Sequence, residues 1–231
     1  MVNTGRRAGL SQQAIAQCAV ALTGERGLQG WSIRDLAGEL GVVPSVIYHY
    51  YAAKDDLYDA VLAEVLQQVP IPDESLEWKS WFRHVARDMR PILLAHHGVT
   101  EWLKFGRFAP AGLPLLESGL RHLRDAGFGE HAVLAFAMFT NTVVNAIGQR
   151  NLRDPHQPGK RHDLDEMIEY LQRSTGESAA LSEMLEQWLV PLAGSREDDL
   201  SEAYFGTLVE VVLAGLEQVY LRSDDAPLGG Q

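Results

Sequence analysis

Residues 32–54 read SIRDLAGELGVVPSVIYHYYAAK. Ser32 is suited to cap a helix, and Asp35, three residues on, is placed to complete a capping box. Ile33, Leu36, Ala37 and Leu40 then fall on one helical face, and Gly41 ends it. After the turn Gly41-Val42-Val43, Pro44 suits the first turn of another helix, where its missing N–H costs little. That helix is short, about Pro44 to Tyr50. Two short helices joined by a Gly-containing turn present the second one to a DNA major groove. A groove-reading helix needs short side chains at its N-terminal end and donors along its flank. Ser45, Tyr48 and His49 supply both, although spacing alone also fits a generic three-helix bundle.

Helical signals extend outward on both sides. Ile15, Ala19 and Leu22 recur at helical spacing between Ser11 and Arg26, and Gly27 follows as a stop. A fourth helix is predicted from Lys54 to about Val69, before Pro70 and Pro72. Beyond it the pattern predicts helices at about 74–97, 99–107, 112–126, 129–150, 163–174, 178–190 and 197–222. Pro91 should kink or break the first of these. Residues 151–162, polar with two prolines, read as a loop. The expected class is all-α. A head of residues 1–57 precedes a body of 58–222, and 223–231 form a Gly/Pro/Asp-rich tail.

Charge is distributed unevenly. The chain of 231 residues has 20 Lys/Arg and 31 Asp/Glu, for a net charge of −11. Residues 1–54 hold five of those cations against three acids, so a mildly basic head precedes a strongly acidic body. Such a layout permits DNA binding without demonstrating it. One cysteine, Cys18, allows no intrachain disulfide, and a reducing compartment fits. The first residues lack the basic-then-apolar layout of a secretory leader, so a cytoplasmic protein is expected. Ala132 to Gly148 carries no charge but falls short of the ~20 residues that span a bilayer. It reads as a buried helix, with no membrane partner.

The stretch IAQCAVALTGERGLQGWSIRDLAGELGVVPSVIYHYYAAKDDLYDAVL, residues 15–62, resembles the N-terminal domain of the tetracycline-repressor (TetR) family. Tyr48-His49-Tyr50-Tyr51 followed by Lys54 is the most specific part. The resemblance implies double-stranded operator DNA as partner. Tyr48, His49 and Lys54 would contact phosphates, and Val43, Pro44 and Ser45 would sit where base edges are read. Arg34 belongs to the same implied DNA-binding set. Lys54, at a helix N-terminus, also has the right chemistry for an anion. Arg6 and Arg7 read as a groove-seeking arm or a solvated tail. Several residues depart from the family pattern. Val43 and Ala53 stand where capping oxygens are frequent. Thr23 replaces a common core Phe, and Trp31 has the size to fill that volume. Cys18 matches a small buried position and reads as structural rather than as a redox switch.

The body reads as a ligand-binding and dimerisation domain. Residues 197–222 are apolar nearly all round, which requires cover on more than one side. The family packs such helices, with those at 129–150, as a four-helix homodimer interface, and two-fold operators require a dimer. Aromatic and thioether side chains concentrate between Trp78 and Phe139, most of them ordinary core. The candidates to face a small-molecule effector are Trp102, Phe105 and Asn141, with Met138, His96 and Asn145 behind them. Asn141, Asn145 and Gln149 form one amide stripe that lines a cavity, bonds across a dimer or faces water. The family mechanism is linkage: a small, largely apolar effector selects the conformer whose two heads no longer fit the operator.

Other classes find little support. There is no Gly-rich phosphate loop and no Ser nucleophile motif, so neither a catalytic residue nor a cofactor is expected. The histidines lack metal spacing; His156 and His162 sit in a polar loop. A ligand-independent or protein-controlled factor or adaptor would use the same apolar helices. An adaptor would lack the steep salt dependence of phosphate contacts.

Overall fold

The computed structural model describes residues 10–104, 109–153, 163–174, 178–193 and 197–222. Among the described residues every regular element is helical. The head holds α1 (Gln12–Arg26), α2 (Ile33–Glu39), α3 (Pro44–Tyr50) and α4 (Lys54–Leu66). Next come α5 (Trp78–Ala95), α6 (Val99–Lys104), α7 (Leu113–Asp125) and α8 (Ala132–Asn151). Last are α9 (Leu164–Ser174), α10 (Ala179–Met184), α11 (Val190–Ala193) and α12 (Glu197–Tyr220).

The boundaries follow local chemistry. Ser11 caps α1 by accepting from Ala14 N at 3.1 Å, and Gly27, at φ 74°, ends it. The capping box at α2 is complete: Ser32 N donates to Asp35 Oδ2 at 2.7 Å, and Asp35 N donates to Ser32 Oγ at 3.2 Å. α5 starts at Trp78 rather than near residue 74. Asp73 instead accepts from Ser75 N and Oγ, a local turn that competes with the helix. α5 then runs through Pro91 without a break. α10 and α11 are joined by a π-helical turn, Leu185–Leu189. That turn ends just before Pro191, whose missing N–H removes the α bond to the Gln187 carbonyl.

The chain forms two compact units, Met1–Phe136 and Ala137–Gln231. In the first, Ile15, Leu36, Ile47, Leu57 and Val61 are fully buried and gather the head helices around α4. Trp81, Phe82 and Leu123 form the core shared by α5 and α7. Leu28 N, in the α1–α2 loop, donates to His97 O at 2.7 Å, which ties the head to the α5–α6 loop. Gly98 is at φ 86° there, and a Cβ would stand 2.9 Å from Leu28 Cβ. In the second unit, Ile168, Leu185 and Leu189 make a small core, and Trp188 packs on Tyr204 with ring centroids 5.2 Å apart.

The uncharged stretch expected to be buried lies in a longer helix. Gly129–Asn151 is long and apolar enough to cross a membrane by length and composition, and 39% of its apolar window is buried. Val133, Leu134 and Met138 are exposed on it.

Candidate nucleic-acid interface

α3 is fixed from beneath and from one end. Ile47 is fully buried. Tyr50 Oη donates to Leu10 O, Gln12 Nε2 donates to Tyr50 O, and Tyr51 Oη donates to Gln12 O, each at 3.0 Å. These bonds hold the end of α3 against the start of α1. The opposite face is open. Val43 is 61% exposed and Tyr48 51%; Ser45 and His49 are exposed and Pro44 is half-buried. Arg34 is exposed on α2. The expected DNA-facing side chains of α3 therefore lie at one surface, anchored by a rigid scaffold. Val43 provides no side-chain cap, as its identity dictates. Ala53 provides none either, yet its N–H donates to Asp56 Oδ2 at 2.9 Å, so half a capping box survives.

Lys54 is differently placed. Its Nζ donates to Trp31 O at 2.7 Å and lies 5.1 Å from the Trp31 ring centroid and 5.0 Å from that of Tyr58. Trp31 is itself buried and donates from Nε1 to Thr23 Oγ1 at 3.0 Å. The large indole and the small threonine thus answer each other by hydrogen bond as well as volume. Tyr58 stacks edge-on to Trp31 and to Trp102, at 5.6 and 5.2 Å. Cys18 is half-buried, and burial, followed by Glu39 and Glu25, pushes its thiol pKa up. A raised pKa disfavours the reactive thiolate.

The effector candidates are dispersed. Trp102 is half-buried on α6, and its Nε1 donates to Asp59 Oδ1 of α4 at 2.8 Å. His96 ends α5, with Nδ1 2.7 Å from Ile92 O. Phe105 lies outside the described residues, as do Arg6, Arg7 and the loop histidines. In the second unit Met138 is 47% exposed and accepts from Tyr220 Oη at 3.8 Å. Asn141, Asn145 and Gln149 are all exposed, so the amide stripe faces outward from its own chain. No cluster of three or more metal-ligating side chains occurs among the described residues.

The family profile described as "Tetracyclin repressor-like, C-terminal domain" matches residues 71–220, and "Bacterial regulatory proteins, tetR family" matches residues 15–61. The chain belongs to the TetR family. It is a DNA-binding transcriptional regulator with a tetracycline-repressor-like C-terminal domain. The class C tetracycline repressor of Escherichia coli is 25% identical over 224 residues, covering 94% of each chain. The ActR protein of Streptomyces coelicolor, solved with actinorhodin, superposes with a TM-score of 0.70. It is 26% identical, and the match covers 91% of this chain and 98% of ActR. A TetR from Acinetobacter baumannii AYE, solved with minocycline, shares the fold at TM-score 0.69 and 20% identity, over 91% or more of both chains.

Within this TetR-family chain, the sequence pattern missed three participants. Tyr58 follows Lys54 by four residues, the helical spacing that sets a ring beside an ammonium, so that signal was present. Asp59 and its bond to Trp102, 43 residues away, left no local trace. Trp31 was read only as bulk, and its carbonyl as partner to Lys54 has no sequence signature.

Proposed function

We infer that the chain is a homodimeric repressor that holds double-stranded operator DNA and releases it when a small, largely apolar effector binds. The observation that carries this reading is the α3 surface: Val43, Ser45, Tyr48 and His49 stand open on a helix that Ile47 and three end bonds hold rigid. Rigid presentation of donors suits phosphate docking, and the short Ser45 suits close approach to base edges. The class C tetracycline repressor and the actinorhodin-bound ActR supply the analogy for effector release. On this reading residues 1–57 act as the DNA head, 58–222 as the effector and dimerisation body, and 223–231 as a tail. Val43, Pro44 and Ser45 read bases; Arg34, Tyr48, His49 and Lys54 dock the backbone. The protein works in the cytoplasm, without membrane partner, cofactor or catalysis.

The test is selection of bound genomic fragments, followed by anisotropy titrations against the selected DNA. Expected is nanomolar, steeply salt-dependent binding that a lipophilic metabolite panel or cell extract weakens. Binding that no such addition weakens overturns effector release. Failure to select any fragment overturns the DNA reading and leaves the adaptor.

A further inference from the structure

The interior face shared by α5 and α7 carries two ring nitrogens that the fold does not use. Trp81 is fully buried on α5, and His122 on α7 is 7% exposed. Their rings stack with centroids 4.8 Å apart and planes 24° from parallel. Trp81 Nε1 and His122 Nε2 are both sealed from solvent and without a hydrogen-bond partner among the described residues. His122 Nδ1 lies 2.9 Å from Ser118 O. A carbonyl only accepts, so in the neutral ring Nδ1 carries the proton and Nε2 offers a lone pair. Glu74 supports that tautomer. Its Oε2 is 3.9 Å from Nδ1, while its Oε1 accepts from Ser118 Oγ at 2.8 Å and from Arg121 Nη2 at 3.1 Å. The stacked pair therefore presents one unpaired donor and one unpaired acceptor in an apolar shell, where unmatched polar groups are rare.

We propose that Trp81 and His122 form the polar end of the effector site and take a single hydroxyl group borne on a flat apolar molecule. The proposal rests on the effector-release reading and adds the chemistry of the ligand. A ketone or ether accepts from Trp81 and offers His122 nothing. A carboxylate sets its lone pairs against that of Nε2. An ammonium donates to Nε2 and opposes the indole N–H. A hydroxyl accepts from Trp81 Nε1–H and donates to His122 Nε2 through one atom. The walls favour a flat skeleton: Phe82 meets Trp81 edge-on at 5.0 Å, and Phe136 meets Phe82 at 6.2 Å. At Gly119 of α7, a Cβ would stand 2.6 Å from Phe136 Cε2 and 3.2 Å from Trp81 Cζ3. The aromatic rings thus reach the α7 backbone with no side chain between.

The experiment compares 2-naphthol with 2-methoxynaphthalene on the full chain. The two share a skeleton, and the ether cannot donate. Calorimetry measures affinity, and nitrogen NMR of histidine- and tryptophan-labelled protein follows the two rings, identified by the signals lost in His122→Phe and Trp81→Phe. Expected is at least about tenfold tighter binding of 2-naphthol, the scale of one lost hydrogen bond, with both signals shifting. Equal affinities, no binding of 2-naphthol, or unmoved nitrogens overturn the proposal. The affinity comparison uses the wild-type chain and stands even if a variant fails to fold. Operator binding is read in parallel. Shifted nitrogens with operator affinity unchanged uphold the site and overturn the release reading. Release of His122→Phe by cell extract at the wild-type dilution upholds release and overturns the site.

Discussion

Lys54 Nζ donates to the backbone carbonyl of Trp31 at 2.7 Å and at the same time lies 5.1 Å from the centroid of that residue's indole. The ammonium proposed to grip a phosphate is therefore also a strut between α4 and the α1–α2 loop. The two roles are separable by salt. If Lys54 meets a phosphate in the complex, Lys54→Gln makes the slope of log affinity against log salt shallower by about 0.9, with affinity falling equally on every DNA sequence. The same variant loses its ring contacts and about 1 kcal/mol of stability. Lower stability with an unchanged salt slope would mean that Lys54 stays on Trp31 when DNA binds.

The start of α3 can be improved. Val43 occupies the cap position, is 61% exposed and makes no side-chain bond to the helix. Val43→Ser supplies an oxygen to the free N–H groups and should stabilise the chain by about 1 kcal/mol in thermal or urea unfolding. Since Val43 also lies on the proposed reading surface, the gain in stability should come with altered fragment preference in the selection. A stabilised variant with unaltered preference would remove Val43 from the base-reading set.

α2 should be acid-sensitive through its box. The Ser32 hydroxyl and N–H, aided by Arg26 and Lys54, hold the Asp35 carboxyl below its ordinary range. A pKa depressed in the fold means that the unfolded chain binds more protons between the two values. The contribution is thus complete above the ordinary aspartate value and is lost as pH falls through the folded one. The difference in melting temperature between wild type and Asp35→Asn should be constant above about pH 5 and shrink below about pH 4. A difference that persists undiminished into acid would show that the carboxylate charge is not what stabilises α2.

The legibility of this chain in its sequence divides by distance along it. Helix ends were readable because their causes are local: Ser32 with Asp35, Gly27 and Gly41 as stops, Pro44 at a first turn. The exposed face of α3 was readable for the same reason. The bond between Trp102 and Asp59 spans 43 residues and has no periodic signature, so Trp102 was legible as an aromatic but not as a strut to α4. The amide stripe was legible as a stripe, yet its outward orientation depends on which face of α8 the chain covers. The stacked Trp81 and His122 belong to helices 41 residues apart, and only three-dimensional packing leaves their nitrogens unmatched.

α12 offers the most direct test of assembly. Phe205, Val209, Leu213 and Leu216 are buried, whereas Tyr204, Val211 and Val219 are 48%, 63% and 46% exposed. The exposed three are separated by seven and eight residues, which puts them on one face of the helix. Tyr220 Oη reaches Met138 Sδ at 3.8 Å, so the exposed Met138 of α8 adjoins the same helix. An apolar face of two helices on a TetR-family body suits a self-complementary two-fold contact, where each substitution counts twice. Val211→Glu should leave the helical content intact, because Val211 is open in the protomer. It should shift the sedimenting species from dimer to monomer at micromolar concentration, since burying Val211 contributes about 1.5–3 kcal/mol per copy and an unpaired carboxylate opposes burial. Operator affinity should fall with the dimer, because a single head contacts half a site. A Val211→Glu protein that still sediments as a dimer would place the interface elsewhere, and one that binds the operator undiminished as a monomer would overturn the two-headed reading.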